Sequence, residues 1–281
     1  MALLRRWARE ETLPLKEVLR GADLPTFPRV ATAALERLGQ PEVELREVGD
    51  ILIADPGLSA RLLRMVNSAA VGTRRHIESV HQAVTLLGAS QLESTLIAAG
   101  VQEALPNQPV NGHDPRQFWH AAAKRATIAS AFAQRVVPSM KSETFTAALL
   151  QDMAVPLLAS ARSDYGELLQ DWRDGKNELV VLEDDAFGSD HATIAAQMCE
   201  EWGFPPSLRT AIESHHDGPG TSENGTPFVQ LVAILRDTDD EADRDRLVEL
   251  AAASLELHPD DTVELICEAE TAAADLTALL T

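Results

Sequence analysis

Three histidines in the second half of the sequence are the residues best suited to acid–base or metal chemistry. His191 lies in a Ser-Asp-His-Ala segment near the start of a predicted helix, and His215 and His216 close a later one. Neutral imidazole nitrogens bind transition metals, and a protonated histidine at a helix C-terminus is stabilised by the helix dipole. From the residues alone, we expect ordinary hydrogen-bonded or helix-capping histidines.

The two cysteines and one acidic run offer weaker signals. Cys199 and Cys267 are far apart and have no CxxC spacing. This pattern predicts two buried, unreactive thiols. The run DTDDEADRD, residues 237–245, lacks the spacing of a calcium-binding EF-hand loop and favours a solvated connection.

A single basic cluster lies in the first part of the chain. We expect a solvated helix face followed by a polar loop, and the alternative is a site for an anion or for a partner's carboxylates. The candidate interaction residues of this cluster are Arg61, Arg64, Arg74 and Arg75.

Charge is distributed unevenly along the 281 residues. Residues 1–112 have a net charge of −1, whereas residues 113–281 have a net charge of −19. The second part would therefore repel nucleic acid and anionic membranes. No uninterrupted apolar run approaches the roughly 18 residues of a membrane-spanning helix, and the charged start is unlike a signal sequence. We expect a cytoplasmic protein.

Helices are predicted throughout, because apolar residues recur at helical spacing and no convincing strand, P-loop or solenoid repeat occurs. The best-defined helix begins at the N-cap Asp55, has Pro56 in its first turn and is predicted to end at Gly72. Asn67 on this helix is expected to bond the backbone of a neighbouring loop. The Pro/Gly/Asn-rich residues 106–115 predict a hinge between two subdomains. Further helices are predicted over residues 1–10, 13–20, 28–38, 44–54, 79–87, 90–105, 118–137, 143–160, 165–174, 178–187, 189–205, 207–216, 227–236, 240–255 and 262–280. The helix over 143–160 is expected to kink or end near Pro156, and the one over 189–205 to stop at Gly203.

The sequence resembles the HDOD family, the HD-related output domains. The matching segments are LPTFPRVATAALERL, ELREVGDILIADPGLSARLLRMVNSAAVG, IESVHQAVTLLGASQLESTLIA, FWHAAAKRATIASAFA, AALLQDMAVPLL and GSDHATIAAQMCEEWGFPPSLRTAIESHH. The resemblance implies an all-α HDOD domain over residues 23–281, preceded by a helical extension over residues 1–22. Within it, an N-terminal helical bundle (23–110) would pack on an HD-like helical bundle (111–281).

The resemblance also indicates where a metal site would lie. HD phosphohydrolases bind one or two divalent metals through a His, a His-Asp pair and a final Asp on converging helices, and the metals activate water. The corresponding positions here are Ala121, Gln151, Asp152 and Ala233. One ligand of four remains, and a catalytic metal typically needs about three. Because larger HD-type hydrolases use additional histidines in comparable regions, a remnant site stays open as an alternative, formed by Asp152, His191, His215 and His216.

We therefore expect a non-catalytic output or adaptor module of bacterial signal transduction, with a degenerate metal site and no cofactor. It would act by binding signalling proteins, with no nucleic-acid or membrane partner, and a homodimer is compatible with its Ala-rich helices. The alternative is a divergent metal-dependent phosphohydrolase that acts on a nucleotide or cyclic dinucleotide. A nucleotide-binding sensor without turnover would depend on the Arg61–Arg75 cluster alone.

Overall fold

The computed structural model describes residues 15–67, 76–219 and 226–280. Within these ranges the only β-type pairing is one bridge between Val110 and His113, which confirms the predicted all-α class. The helices are α1 Leu15–Val18, α2 Arg29–Leu38, α3 Leu45–Ile53, α4 Pro56–Val66, α5 Val80–Ala104, α6 Pro115–Val136, α7 Lys141–Leu150, α8 Val155–Ala161, α9 Tyr165–Arg173, α10 Leu179–Phe187, α11 His191–Glu201, α12 Pro206–Glu213, α13 Pro227–Val232, α14 Glu241–Leu255 and α15 Pro259–Leu280.

Helix α4 begins as predicted. The Asp55 carboxylate accepts a hydrogen bond from the Leu58 amide, as expected of an N-cap. The described helix ends at Val66, with Asn67 as its C-cap, whereas the predicted end at Gly72 lies outside the described residues. The Asn67 amide accepts from the backbone N–H of Ile77 at 2.7 Å and donates to its carbonyl at 2.9 Å, which confirms the predicted loop contact.

Helix α5 contacts helices from both the earlier and the later part of the chain. It packs on α2, α3 and α4 on one side and on α7 on another. At Gly88 the backbone has φ 67° and ψ 177°, so the two helices predicted here are joined with a break at the expected residue. Gly100 is required for packing, because a Cβ there would lie 2.3 Å from the ring of Phe27.

Helix α6 is the central helix of the second half. It packs against α7, α13 and α15, and its buried face is formed mainly by alanine, which allows close helix contacts. The helix predicted over residues 143–160 is expected to kink or end near Pro156, and the structure has two helices, the second of which begins at Val155. Residues 151–154 form a tight turn between α7 and α8, and this turn carries Asp152.

Two stretches are long and apolar enough to cross a membrane by length and composition, in contrast to the sequence-based expectation. They are Val80–Ala104, whose apolar window is 56% buried, and Pro138–Ala161, whose window is 83% buried. Burial inside the fold is the environment of core helices, and the second stretch consists of several consecutive short helices.

The two cysteines differ in their exposure to solvent. Cys199 is fully buried, as predicted, and burial raises the pKa of its thiol to about 12. The expectation that Cys267 is buried is wrong, because this residue lies on an exposed position of α15.

His113 makes the stability of the fold depend on pH. Burial, with a smaller contribution from Arg173, lowers the pKa of His113 from 6.5 to about 4 against the opposing effects of Asp237 and Asp114. The unfolded chain therefore takes up a proton before the folded chain does. We expect the free energy of unfolding to fall as the pH drops from about 6.5 to about 4, by up to about 3 kcal/mol from this residue.

Urea denaturation of the wild type and of His113→Leu across this pH range measures the effect. The variant should lose less stability on acidification, whereas the exposed control His258→Leu should follow the wild type. Parallel pH profiles for His113→Leu and the wild type would contradict the prediction.

Candidate metal centre

The four residues of the expected remnant site come from three separate turns and helix ends. Asp152 lies in the turn after α7. His191 is the first residue of α11, which is capped by a hydrogen bond from the Thr193 amide to the Asp190 carboxylate at 2.9 Å. His215 and His216 follow the end of α12 in a turn.

The structure brings these four side chains together. The Nε2 atom of His191 lies 3.4 Å from Asp152 Oδ1, 3.3 Å from His215 Nε2 and 3.1 Å from His216 Nε2. His215 Nε2 is 3.3 Å from the same Asp152 oxygen. One potential ligand atom from each residue lies within 4.8 Å of all the others. The arrangement offers up to four ligands to one cation.

This cluster is almost closed to solvent. Asp152 is 9% exposed, His191 1% and His215 0%, while His216 is partly exposed. Unpaired charges are not tolerated at such depth, so each ionisable group should have a partner.

Glu183, which sequence reasoning missed, orients His191. Its fully buried carboxylate accepts hydrogen bonds from the His191 backbone at 2.8 Å, from His191 Nδ1 at 2.7 Å and from the Tyr165 hydroxyl. A signal was present, because Glu183 lies one helical turn after Leu179 on an otherwise apolar face of α10.

Arg125 is the second residue that sequence reasoning missed. Its guanidinium is buried in α6, donates Nη2 to Asp152 Oδ2 and donates Nη1 to the carbonyl oxygen of Leu235 at 3.1 Å. Burial alone would raise the pKa of Asp152, but Arg125, His191 and His215 outweigh it and hold that pKa well below its usual range. Asp152 is therefore ionised in the folded protein.

The two buried histidines respond to this environment differently. Burial alone would lower the pKa of His191, yet Glu183 and Asp152 outweigh burial and raise it to about 10. Burial lowers the pKa of His215 in spite of the nearby Asp152 carboxylate. In the metal-free protein His191 is therefore the protonated histidine of this pair, and its ring contacts the carboxylates of Glu183 and Asp152.

The remaining positions of an HD phosphohydrolase site carry no strong ligand. Ala121 is buried in α6, one turn before Arg125, and Ala233 directly follows α13. Gln151 is buried, and its side-chain oxygen has no hydrogen-bond partner among the described residues. A two-metal HD centre does not fit these residues, whereas a single cation fits the Asp152–His191–His215–His216 cluster.

The described arginines of the basic cluster, Arg61 and Arg64, lie on α4 and do not belong to the Asp/His cluster. Arg61 pairs with Glu103, and Arg64 is exposed. Arg74 and Arg75 lie outside the described residues. Both described arginines line a cavity of about 550 Å³ together with Gln102, Asn107, Arg116 and Trp119.

The sequence model of the HDOD domain matches residues 24–218, which is more than half of the chain and includes the whole Asp/His cluster. The chain belongs to the HDOD family. The resemblance found in the sequence is thereby confirmed, and the fold is that of an HDOD protein.

Solved structures share the HDOD fold. A candidate phosphohydrolase of Shewanella amazonensis SB2B is 22% identical, with 95% of this chain and 98% of that chain covered and a TM-score of 0.74. A candidate signal transduction protein of Marinobacter aquaeolei VT8 is 20% identical, with 99% of this chain and 65% of that chain covered and a TM-score of 0.68. At these identities the likeness concerns the fold alone.

A relative of known sequence is longer than this chain. An uncharacterised protein of Treponema pallidum (strain Nichols) is 24% identical over 221 residues, which are 77% of this chain. The match covers 42% of that protein, so this chain spans less than half of its length.

Replacement of Arg125 by leucine should destabilise the metal-free fold by about 3 kcal/mol or more, because the buried Asp152 carboxylate would lose its cationic partner. Urea denaturation after treatment with a chelator measures this change. The control Arg209→Leu breaks an exposed pair with Glu200 and should cost less than about 1 kcal/mol. Equal effects of the two substitutions would contradict the role of Arg125.

Proposed function

We propose that this HDOD protein is a non-catalytic signal-transduction module that acts by binding another signalling protein. The observation that carries the proposal is the buried ion pair between Arg125 and Asp152. HD phosphohydrolases use the aspartate of their His-Asp pair to hold catalytic metal. Here one oxygen of that carboxylate already accepts from a guanidinium, which also reaches the Leu235 carbonyl near the end of α13.

The burial of the cluster supports the same proposal. Metal-assisted hydrolysis needs an activated water and space for the phosphoester beside the metal. The Asp152, His191 and His215 side chains are almost completely inaccessible to solvent. Ala121 and Ala233 supply no ligand where the HD resemblance expects a histidine and an aspartate.

The cluster of three histidines and one aspartate is the observation that favours the alternative, a divergent metal-dependent phosphohydrolase. The two functions differ in turnover. We expect no hydrolysis of bis-(p-nitrophenyl) phosphate or of cyclic dinucleotides with Mn²⁺, Fe²⁺ or Ni²⁺ above the background of Asp152→Ala. Turnover that Asp152→Ala abolishes would establish the hydrolase instead.

We place the partner in the cavity of about 550 Å³ lined by Arg61, Arg64 and Arg116, which we call the groove. Among the described residues, neither Arg64 nor Arg116 makes an ion pair, and both side chains are exposed. An acidic segment of a partner protein complements two such guanidinium groups, which bind carboxylates in bidentate fashion. Arg61 is held by Glu103 at the edge of this groove.

Reversal of both charges in Arg64→Glu/Arg116→Glu should weaken partner binding at least ten-fold, because two attractive contacts become repulsive. Crosslinking in the native cell, followed by mass spectrometry, identifies signalling proteins enriched on the wild type over the double variant. Arg46→Glu changes an exposed arginine of α3 outside the groove and serves as the matched control. The groove is excluded as the docking site if the double variant and Arg46→Glu retain the same partners.

A further inference from the structure

We infer that Asp152, His191, His215 and His216 bind one divalent transition-metal ion of the zinc class in a four-ligand centre, with Arg125 taking the place of a second cation. This centre holds a single metal, unlike the paired metals of a hydrolase. Metal binding here does not depend on the partner proposed above.

The hydrogen bonds of the imidazole rings direct their lone pairs inward. His191 Nδ1 lies 2.7 Å from a Glu183 carboxylate oxygen, and His215 Nδ1 lies 2.5 Å from the Ile212 carbonyl oxygen. Both partners only accept hydrogen bonds, so each Nδ1 carries a hydrogen. Once a metal ion has displaced the Nε2 proton of His191, Nε2 of each ring presents a lone pair toward Asp152 Oδ1, which is the arrangement of a metal-binding histidine with an oriented outer partner.

Hydrogen bonding within the cluster does not account for these positions. The Nε2 atom of His191 lies within 3.4 Å of three polar atoms, and a single hydrogen cannot be directed at all of them. Its distance of 3.4 Å to Asp152 Oδ1 is also longer than the roughly 2.7–2.9 Å of a charge-assisted hydrogen bond. Several lone pairs that converge at this spacing match a cation between them.

The spacing agrees with tetrahedral coordination. Ligands at about 2.0–2.1 Å from zinc are separated from one another by about 3.3–3.4 Å. The four measured separations are 3.1, 3.3, 3.3 and 3.4 Å. The two remaining pairs, Asp152–His216 and His215–His216, lie within 4.8 Å, and His216 is the most exposed of the four ligands.

The ligand types select the metal. Three imidazole nitrogens and one carboxylate suit zinc and neighbouring transition metals, whereas Mg²⁺ and Ca²⁺ prefer oxygen ligands. Four protein ligands leave no open position at a tetrahedral ion, which is typical of a structural centre rather than a catalytic one. Such an ion would tie the turn after α7 to the start of α11 and the turn after α12.

The position of Arg125 limits the centre to one ion. Its guanidinium is bonded to Asp152 Oδ2, the oxygen that faces away from the histidines in this bonding pattern. That oxygen cannot bridge to a second metal while it accepts from Arg125. The fixed positive charge also repels a second cation in so buried a place.

Metal titration of the chelator-treated full chain tests the inference. We expect one equivalent of Zn²⁺ to bind, and Co²⁺ to give the intense visible absorption of a four-coordinate ion. His216→Cys should retain the stoichiometry and add a thiolate-to-cobalt charge-transfer band, which reports direct ligation. Glu183→Gln should weaken zinc binding about 10–100-fold, because it removes the carboxylate that orients His191.

The exposed His258→Ala is the matched control and should bind zinc as the wild type does. Circular dichroism verifies that each variant is folded. Absence of stoichiometric binding by the folded wild type, a second equivalent at this cluster, or a His216→Cys protein without the charge-transfer band would each overturn the inference. Hydrolase assays are separate, so a metal-bound protein without turnover is distinguished from a metal-dependent enzyme.

Discussion

The ion pair between Arg125 and Asp152 is the interaction on which the HD-like half of this protein depends. Asp152 lies in the turn between α7 and α8, where an isolated carboxylate would be strongly disfavoured. Arg125 supplies the opposing charge from α6 and also contacts the chain after α13. One arginine thereby joins three segments that HD phosphohydrolases use for metal ligands. The same interaction argues against a two-metal centre and leaves the other carboxylate oxygen facing three histidines.

A second layer of side chains gives the cluster its fixed geometry. Glu183 binds both the backbone and the ring of His191, while Tyr165 donates to the other oxygen of that carboxylate. On the opposite side, Gln230 donates to the Ser214 carbonyl at 3.1 Å and holds the turn that carries His215 and His216. The metal proposed here would complete a preformed site. A signalling role through the distant groove at Arg64 and Arg116 requires no access to this buried centre.

Local patterns in the sequence were sufficient for the helices and for family membership, because caps, breaks and apolar spacing act over a few residues. Asn67 and Gly88 behave as predicted for this reason. A kink or end is predicted near Pro156, but the turn lies at residues 151–154, where the apolar pattern continues without interruption. The role of Arg125 could not be assigned without the fold, because Asp152 is 27 residues away from it in the sequence. Glu183 could be recognised by its place on the apolar face of α10, but its contact with His191 depends on the fold. The grouping of the histidines was suggested only by the HD resemblance.

Anomalous X-ray diffraction from crystals of the zinc-loaded protein, measured on both sides of the zinc absorption edge, tests the central claim most directly. The account predicts one anomalous peak at about 2.0–2.2 Å from Asp152 Oδ1 and from the Nε2 atoms of the three histidines, with Arg125 still bonded to Asp152 Oδ2. A pair of peaks that share Asp152, with Arg125 displaced, would contradict it and indicate a two-metal hydrolase centre. Zinc bound only away from this cluster would contradict it equally.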